Sequence, residues 1–447
     1  MKTLIRNATI VINGKQFAGH ILIDGSLIKQ VSEDLPRIDE GTQIIDAQHH
    51  WVIPGIIDEH VHFRDPGLTH KADIASESRA AVAGGVTSTM DMPNVNPQTT
   101  TNYLLEERKQ IAAEKSMTNY AFYLGATNNN IDEIMKADTT GVCGIKVFMG
   151  SSTGNMLVDH DKMLESIFAE APCLVAVHCE DEQVIKSNLA KYSNLYGDNI
   201  APEHHPLIRT SEACYLSSAK AVELATKHGT HLHIAHLTTA RELSLLSNAP
   251  RGSKHITAET CPHYLYFDDS YYQQYGFSIK CNPAIKTSAD RQALIDAIAD
   301  GRIDTIATDH APHLPQEKFG GSYLKSASGI PTIQHSLQAM LELCSRGVIS
   351  IENIVDKMCH APADIYHIDR RGYLQAGYFA DIVIIDPNMP QIVDKQNILY
   401  KCGWSPFEGH TFSHSVTHTF VNGELAYCNG VFNNNLRGLP LHFGAQF

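Results

Sequence analysis

Positive charge is scarce in this chain: 35 Lys and Arg stand against 49 Asp and Glu among 447 residues, a formal net charge of −14. A polyanion needs clustered cations for its phosphates, so this balance argues against nucleic acid as a partner. A long apolar run is also missing from the start, where MKTLIRNATIVINGKQ is broken by Arg6, Asn7 and Asn13. No signal peptide or membrane span is expected there, and a cytoplasmic location is. The 10 Cys show no zinc-ribbon spacing, and Cys179, Cys261 and Cys281 lie in apolar stretches where free thiols act as small hydrophobes. That argues against a disulfide framework. Low-complexity tracts and repeats of solenoid length are absent as well. Histidine, by contrast, is abundant at 25, often at the ends of apolar runs, which turns attention to metal.

Eight apolar, β-branched runs recur through the middle: WVIPGIIDEHVHF, GVTSTMDMPN, YAFYLGA, GIKVFMG, CLVAVHCED, HLHIAHLT, HITAETCPH and DTIATDH. Helical patterns such as NYLLEERKQIAAE, DKMLESIFAE, SEACYLSSAKAVELATKHG and DRQALIDAIADG lie between them. Eight strands separated by room for helices predict an α/β fold, a (β/α)8 TIM barrel over residues 53–369. A doubly wound open sheet competes, but its G-x-G-x-x-G turn after the first strand is missing. The ends differ from the middle. LIRNATIVI and GHILIDGSLIKQV resemble DIVIIDPN and SVTHTFVNGELAYCNGVF, short alternating strands with Gly or Asn turns. Neither end buries a core alone, so residues 1–52 and 370–447 are expected to join as a composite β-sandwich domain.

Barrel strands deliver functional groups at their C-terminal ends. The first ends in DEHVH, and alternation along a strand puts His60 and His62 on one side, about 6.6 Å apart, where two imidazoles can share a cation. Two exposed histidines at a strand end are the plain alternative. The fourth run carries Lys146 among apolar neighbours, where burial disfavours an ammonium. Such a lysine either snorkels or pairs with an acid, or else adds CO2 to give a carbamate bridging two cations. His178, His236 and Asp309 end the fifth, sixth and eighth runs. Four His, one Lys and one Asp on one rim, with no thiolate, suit a catalytic zinc site rather than a closed structural one. Two divalent ions there would bring a water's pKa toward about 7 while polarising a carbonyl, which is hydrolytic chemistry.

With these residues in hand, the blocks PGIIDEHVHFRDPG, MDMPNVNP, IKVFMGSSTG, VAVHCED, HIAHLT, ETCPHYL, KCNPAIKT and IATDHAPH resemble, in order, those of the amidohydrolase superfamily. Within it the chain is most similar to the cyclic amidohydrolases of the dihydroorotase type. The resemblance implies two Zn2+ per subunit: one on His60, His62 and Asp309, the other on His178 and His236, with carboxylated Lys146 between them. It further implies Asp309 as base and then acid, a small-molecule substrate (dihydroorotate or N-carbamoyl-aspartate), no membrane partner, and a homo-oligomer. Arg64 can grip a substrate carboxylate through paired hydrogen bonds, which neutral rings do not offer; a salt bridge to Asp65 or Glu59 is its other reading. His62, Asn94, Asn282 and His313 are the remaining expected substrate contacts. Some features pull elsewhere. The ETCPHYL block looks like that of hydantoinases, so dihydropyrimidinase and allantoinase stay as rivals, with a catalytically inactive scaffold as a remote one. Residues 318–331, rich in Gly and Ser, are expected as a mobile loop without assigned contacts, and His70, His204 and His205 as surface histidines.

Overall fold

The computed structural model describes residues 2–150 and 156–444. Residues 151–154 of the IKVFMGSSTG block therefore lie outside the described residues.

Short β-branched runs flanked by turns become the eight parallel strands of a barrel: Ile56–Val61, Val86–Asp91, Asn119–Phe122 continuing through Leu124–Gly125, Ile145–Phe148, Val175–His178, Leu232–Ile234, Ile256–Thr260 and Thr305–Ile306. The ring closes between its last and first strands, where Val61 bridges His310 in parallel and His62 N–H donates to His310 O at 2.8 Å. Nearly every strand residue is buried, because one face lines the barrel interior and the other meets helices. The helical patterns form Asn102–Lys115, Asp161–Glu170, Ser211–His228 and Ser288–Asp300. Thr101, Thr210 and Thr287 cap three of them by accepting a backbone N–H with the side-chain oxygen. Two departures occur. The fifth and sixth strands are joined by an additional helix, Glu182–Tyr196, besides Ser211–His228, and the sixth and seventh are joined only by the 3-10 turns Glu242–Leu245 and Arg251–Ser253.

Strands from both ends of the chain join in a single sheet, and hydrogen bonding runs without a break through its nine strands. The joint is Trp51–Pro54, which pairs with Lys2–Ile12 on one side and antiparallel with Ile382–Asp386 on the other. Ile10, Ile21, Val52, Ile382, Ile384 and Phe420 pack in one cluster there, so each half supplies the apolar surface the other lacks. The tail then returns to the barrel, where Leu441 N–H donates to Tyr120 O at 2.9 Å. All ten cysteines are free.

Candidate active site

The first strand runs into the site fully buried, and its period of two aims His60 and His62 to the same side. Asp309 follows the eighth strand in a left-handed backbone conformation (φ 45°), as do His236 after the sixth (φ 42°) and Arg64 (φ 66°). Such conformations cost about 1–3 kcal/mol for a residue with a Cβ and persist where the surroundings hold them. The result is convergence. Asp309 Oδ1 lies 3.0 Å from His62 Nε2 and 3.3 Å from His60 Nε2. Ligand atoms of these three all fall within 4.8 Å of one another. His178 Nδ1 sits 2.8 Å from His236 Nε2, and the His236 ring is 5.3 Å from that of His60. Lys146 lines the same cavity fully buried, and its Nζ has no hydrogen-bond partner among the described residues.

Burial explains the electrostatics of the cluster. It lowers the pKa of Lys146 and His178, takes His62 down to about 4 and His236 well below its ordinary value. Burial would raise Asp309, but His60, His62 and His236 around it hold its carboxyl well below the usual range. Neutral imidazoles, an ionised carboxylate and an amine pushed toward its free-base form are the states in which these groups ligate a cation or take up CO2. The donor set fits a pair of divalent ions on an observation of its own: the buried Lys146 Nζ and His236 Nδ1 lack a hydrogen-bond partner among the described residues, and no thiolate takes part.

All ten residues singled out in the sequence line one cavity of about 390 Å3. Arg64 makes neither of the salt bridges considered for it: Asp65 receives Lys115 at 2.9 Å, while Arg64 Nε donates to Pro312 O at 3.3 Å and the guanidinium borders the cavity. Asn94 Oδ1 stands 2.7 Å from His62 Nδ1, so the amide orients that ring as well as lining the cavity. Asn282 Oδ1 is buried and unpartnered at the wall. His313 has Nδ1 3.2 Å from Lys71 Nζ, and its Nε2 lies 3.1 Å from Ser328 O and 3.4 Å from Arg64 Nη2.

One expectation is corrected. His205 is fully buried, not superficial: its ring bridges Cys281 O at 2.7 Å and the Tyr323 hydroxyl at 2.9 Å, because the chain after the Glu182–Tyr196 helix folds back under the 318–331 segment. The contacts left unassigned for that segment include the cavity, which Leu324, Ser326, Ala327, Ser328 and Gly329 line.

Two carboxylates were missed. Glu259 accepts from His60 Nδ1 through one oxygen, which also accepts the His236 backbone N–H at 3.0 Å; the other oxygen faces His233 Nε2 at 3.3 Å. Glu180 lies 3.1 Å from His178 Nε2 and is ion-paired to Arg209. Both sit in the quoted blocks ETCPH and VHCED, and an acid inside an apolar strand end was the available signal. A carboxylate behind a ligating histidine fixes its ring and tautomer. Glu259→Gln is therefore expected to weaken metal binding by about 10- to 100-fold, read by competition with a chelator.

The Amidohydrolase family matches residues 51–426. The chain belongs to that family. Among curated amidohydrolases it is 33% identical to the dihydroorotase of Halobacterium salinarum over 399 residues, covering 87% of this chain and 91% of the relative. It is 30% identical to that of Pediococcus pentosaceus over 437 residues, 96% and 99% of the two chains. Among solved amidohydrolase structures, L-hydantoinase from Arthrobacter aurescens superposes with a TM-score of 0.90 at 26% identity, covering 96% of this chain and 97% of that one. Dihydropyrimidinase from Brevibacillus agri does so at 0.87 and 25%, covering 100% and 97%. This amidohydrolase is an enzyme that hydrolyses cyclic amides, a chemistry for which the family uses metal.

Proposed function

We propose that this amidohydrolase is a dihydroorotase, opening the ring of dihydroorotate to N-carbamoyl-L-aspartate and closing it again in pyrimidine biosynthesis. One observation carries the reading: the Arg64 guanidinium borders the cavity that holds Asp309, and it has no ion pair with its neighbours Asp65 or Glu59. A buried guanidinium without a carboxylate is a site for one, and the ring carboxylate of dihydroorotate supplies it through two parallel hydrogen bonds. The dihydroorotase relatives support the same substrate.

In this reading His60, His62 and Asp309 would hold one Zn2+ and His178 and His236 the other, with carboxylated Lys146 as the further ligand. Bound there, the ions supply Lewis acidity, polarising the ring carbonyl and acidifying a water. Asp309 takes the proton of the attacking water and returns it to the ring nitrogen as the C–N bond breaks, so one carboxylate is base and then acid. Arg64 and Asn282 fix the substrate carboxylate, Asn94 holds the His62 ring, and the 323–329 wall limits water. Residues 53–369 form the catalytic barrel and residues 1–52 with 370–447 the sandwich, in a cytoplasmic homo-oligomer. No helix among the described residues is long and apolar enough to cross a membrane.

The hydantoinase and dihydropyrimidinase structures favour a second reading, in which a ring without a carboxylate is the substrate. Metal content and hydrolysis of dihydroorotate, dihydrouracil and allantoin, measured on one preparation, separate the two. Dihydroorotate is expected to win, and Arg64→Met to raise its KM by about 100-fold while leaving metal content at two ions. Faster turnover of dihydrouracil or allantoin would overturn the assignment.

A further inference from the structure

Two lysines outside the ligand cluster direct their ammonium groups at backbone carbonyls. Lys318 is fully buried, and its Nζ donates to Lys280 O and Gly329 O at 2.6 Å and to Ala327 O at 3.2 Å, using all three protons. Lys280, 5% exposed, donates to Tyr323 O and Ser326 O, both at 2.6 Å. Neither has an ion-pair partner among the described residues; the adjacent acid, Glu317, is engaged by His70 and Lys71. Burying an ammonium away from water and without an anion is costly, and carbonyl dipoles offset only part of that. Burial accordingly takes both lysines down to about 7.

What this arrangement secures is the course of the cavity wall. Ser326, Ala327 and Gly329 face the cavity with one side and the two lysines with their carbonyls. Gly329 N–H donates in turn to Lys280 O at 2.9 Å, at a φ of 141° where a Cβ would meet Ala311 O at 2.6 Å. The wall thus approaches the eighth-strand loop as closely as a glycine allows. Lys280 also lines the cavity itself, as does Arg64, in a chain of net charge −14.

We propose that Lys280 and Lys318 are positioning residues, a cationic clasp that holds residues 323–329 as the outer wall of the pocket and, with Arg64, biases that pocket toward a ligand bearing a carboxylate. The carboxylate's identity rests on the dihydroorotase reading; the wall does not.

The test is backbone hydrogen exchange over residues 323–330 in the zinc-loaded enzyme, with and without saturating N-carbamoyl-aspartate, alongside steady-state kinetics. In Lys318→Met and Lys280→Met the Ala327 and Gly329 amides are expected to exchange about tenfold faster, as befits loss of hydrogen bonds from a charged donor. KM for dihydroorotate is expected to rise about tenfold with kcat changed by less than about threefold, metal content unaltered, and Lys280→Arg close to wild type. Unchanged exchange in both methionine variants, or KM within about twofold, overturns the clasp. An equal rise in KM for dihydrouracil overturns the carboxylate bias. Should Lys318→Met not fold, Lys280→Met decides alone, since it releases only two carbonyls. If the wild type prefers a ring without a carboxylate, the substrate reading fails while the exchange data still judge the wall.

Discussion

Asp309→Asn is expected to lower kcat for dihydroorotate by about 10^3-fold or more, in the upper part of the range for a general acid–base group. The side chain keeps its volume and one oxygen, so it still fits beside His60 and His62, whose ring nitrogens lie 3.3 and 3.0 Å from the carboxylate. The amide cannot accept the water's proton or deliver it to the leaving nitrogen. KM is expected to move little, because the proposed mechanism has Arg64 and Asn282 rather than Asp309 hold the substrate carboxylate. Metal content separates the two duties assigned to this residue: ions retained with kcat lost isolates the proton transfer, whereas loss of an ion in proportion to activity would make it a ligand alone. Turnover within about tenfold of wild type would remove Asp309 from the mechanism.

Lys146→Ala is expected to abolish measurable activity, a loss of about 10^3-fold or more if bridging is worth several kcal/mol of the barrier. The reason is local. Lys146 is fully buried with no hydrogen-bond partner among the described residues, so its removal leaves a space in the wall of the cavity that also holds His60 and His178, and removes the group proposed to span two cations. Short carboxylic acids fit such a space and present the two oxygens of the carbamate; acetate or propionate is expected to restore part of the rate in a saturable way, together with the second metal ion. Undiminished turnover in the mutant would dismiss the bridge, and loss of rate without rescue or loss of metal would leave Lys146 a packing residue.

Much of the scaffold was legible in the chain. The eight runs became the eight strands because β-branched segments bounded by Gly, Pro and Asn have few other stable uses, and three of the four helical patterns formed where Thr101, Thr210 and Thr287 cap. The ten candidate site residues share one cavity because strand ends of a closed barrel share one rim. Less was visible at the loops. His205 reads as superficial in a stretch of EHHP, and only the fold-back against Cys281 and Tyr323 buries it. Residues 318–331 showed no contact partners in the sequence because Gly and Ser carry no packing signal, and only the fold brings two lysines, one of them outside the segment, to its carbonyls.

Sequence alone determined the barrel, the union of the two ends and the residues at the rim, since periodicity and residue chemistry are local properties written along the chain. Tertiary structure decided which atoms meet: that Glu259 backs both His60 and His236, that Asp65 is taken by Lys115 and leaves Arg64 to the cavity, and that Lys280 and Lys318 grip a wall rather than an acid. Those pairings join residues as far as 199 positions apart. Hydrogen-bond geometry is resolved over tenths of an ångström, a precision that only the packed chain supplies.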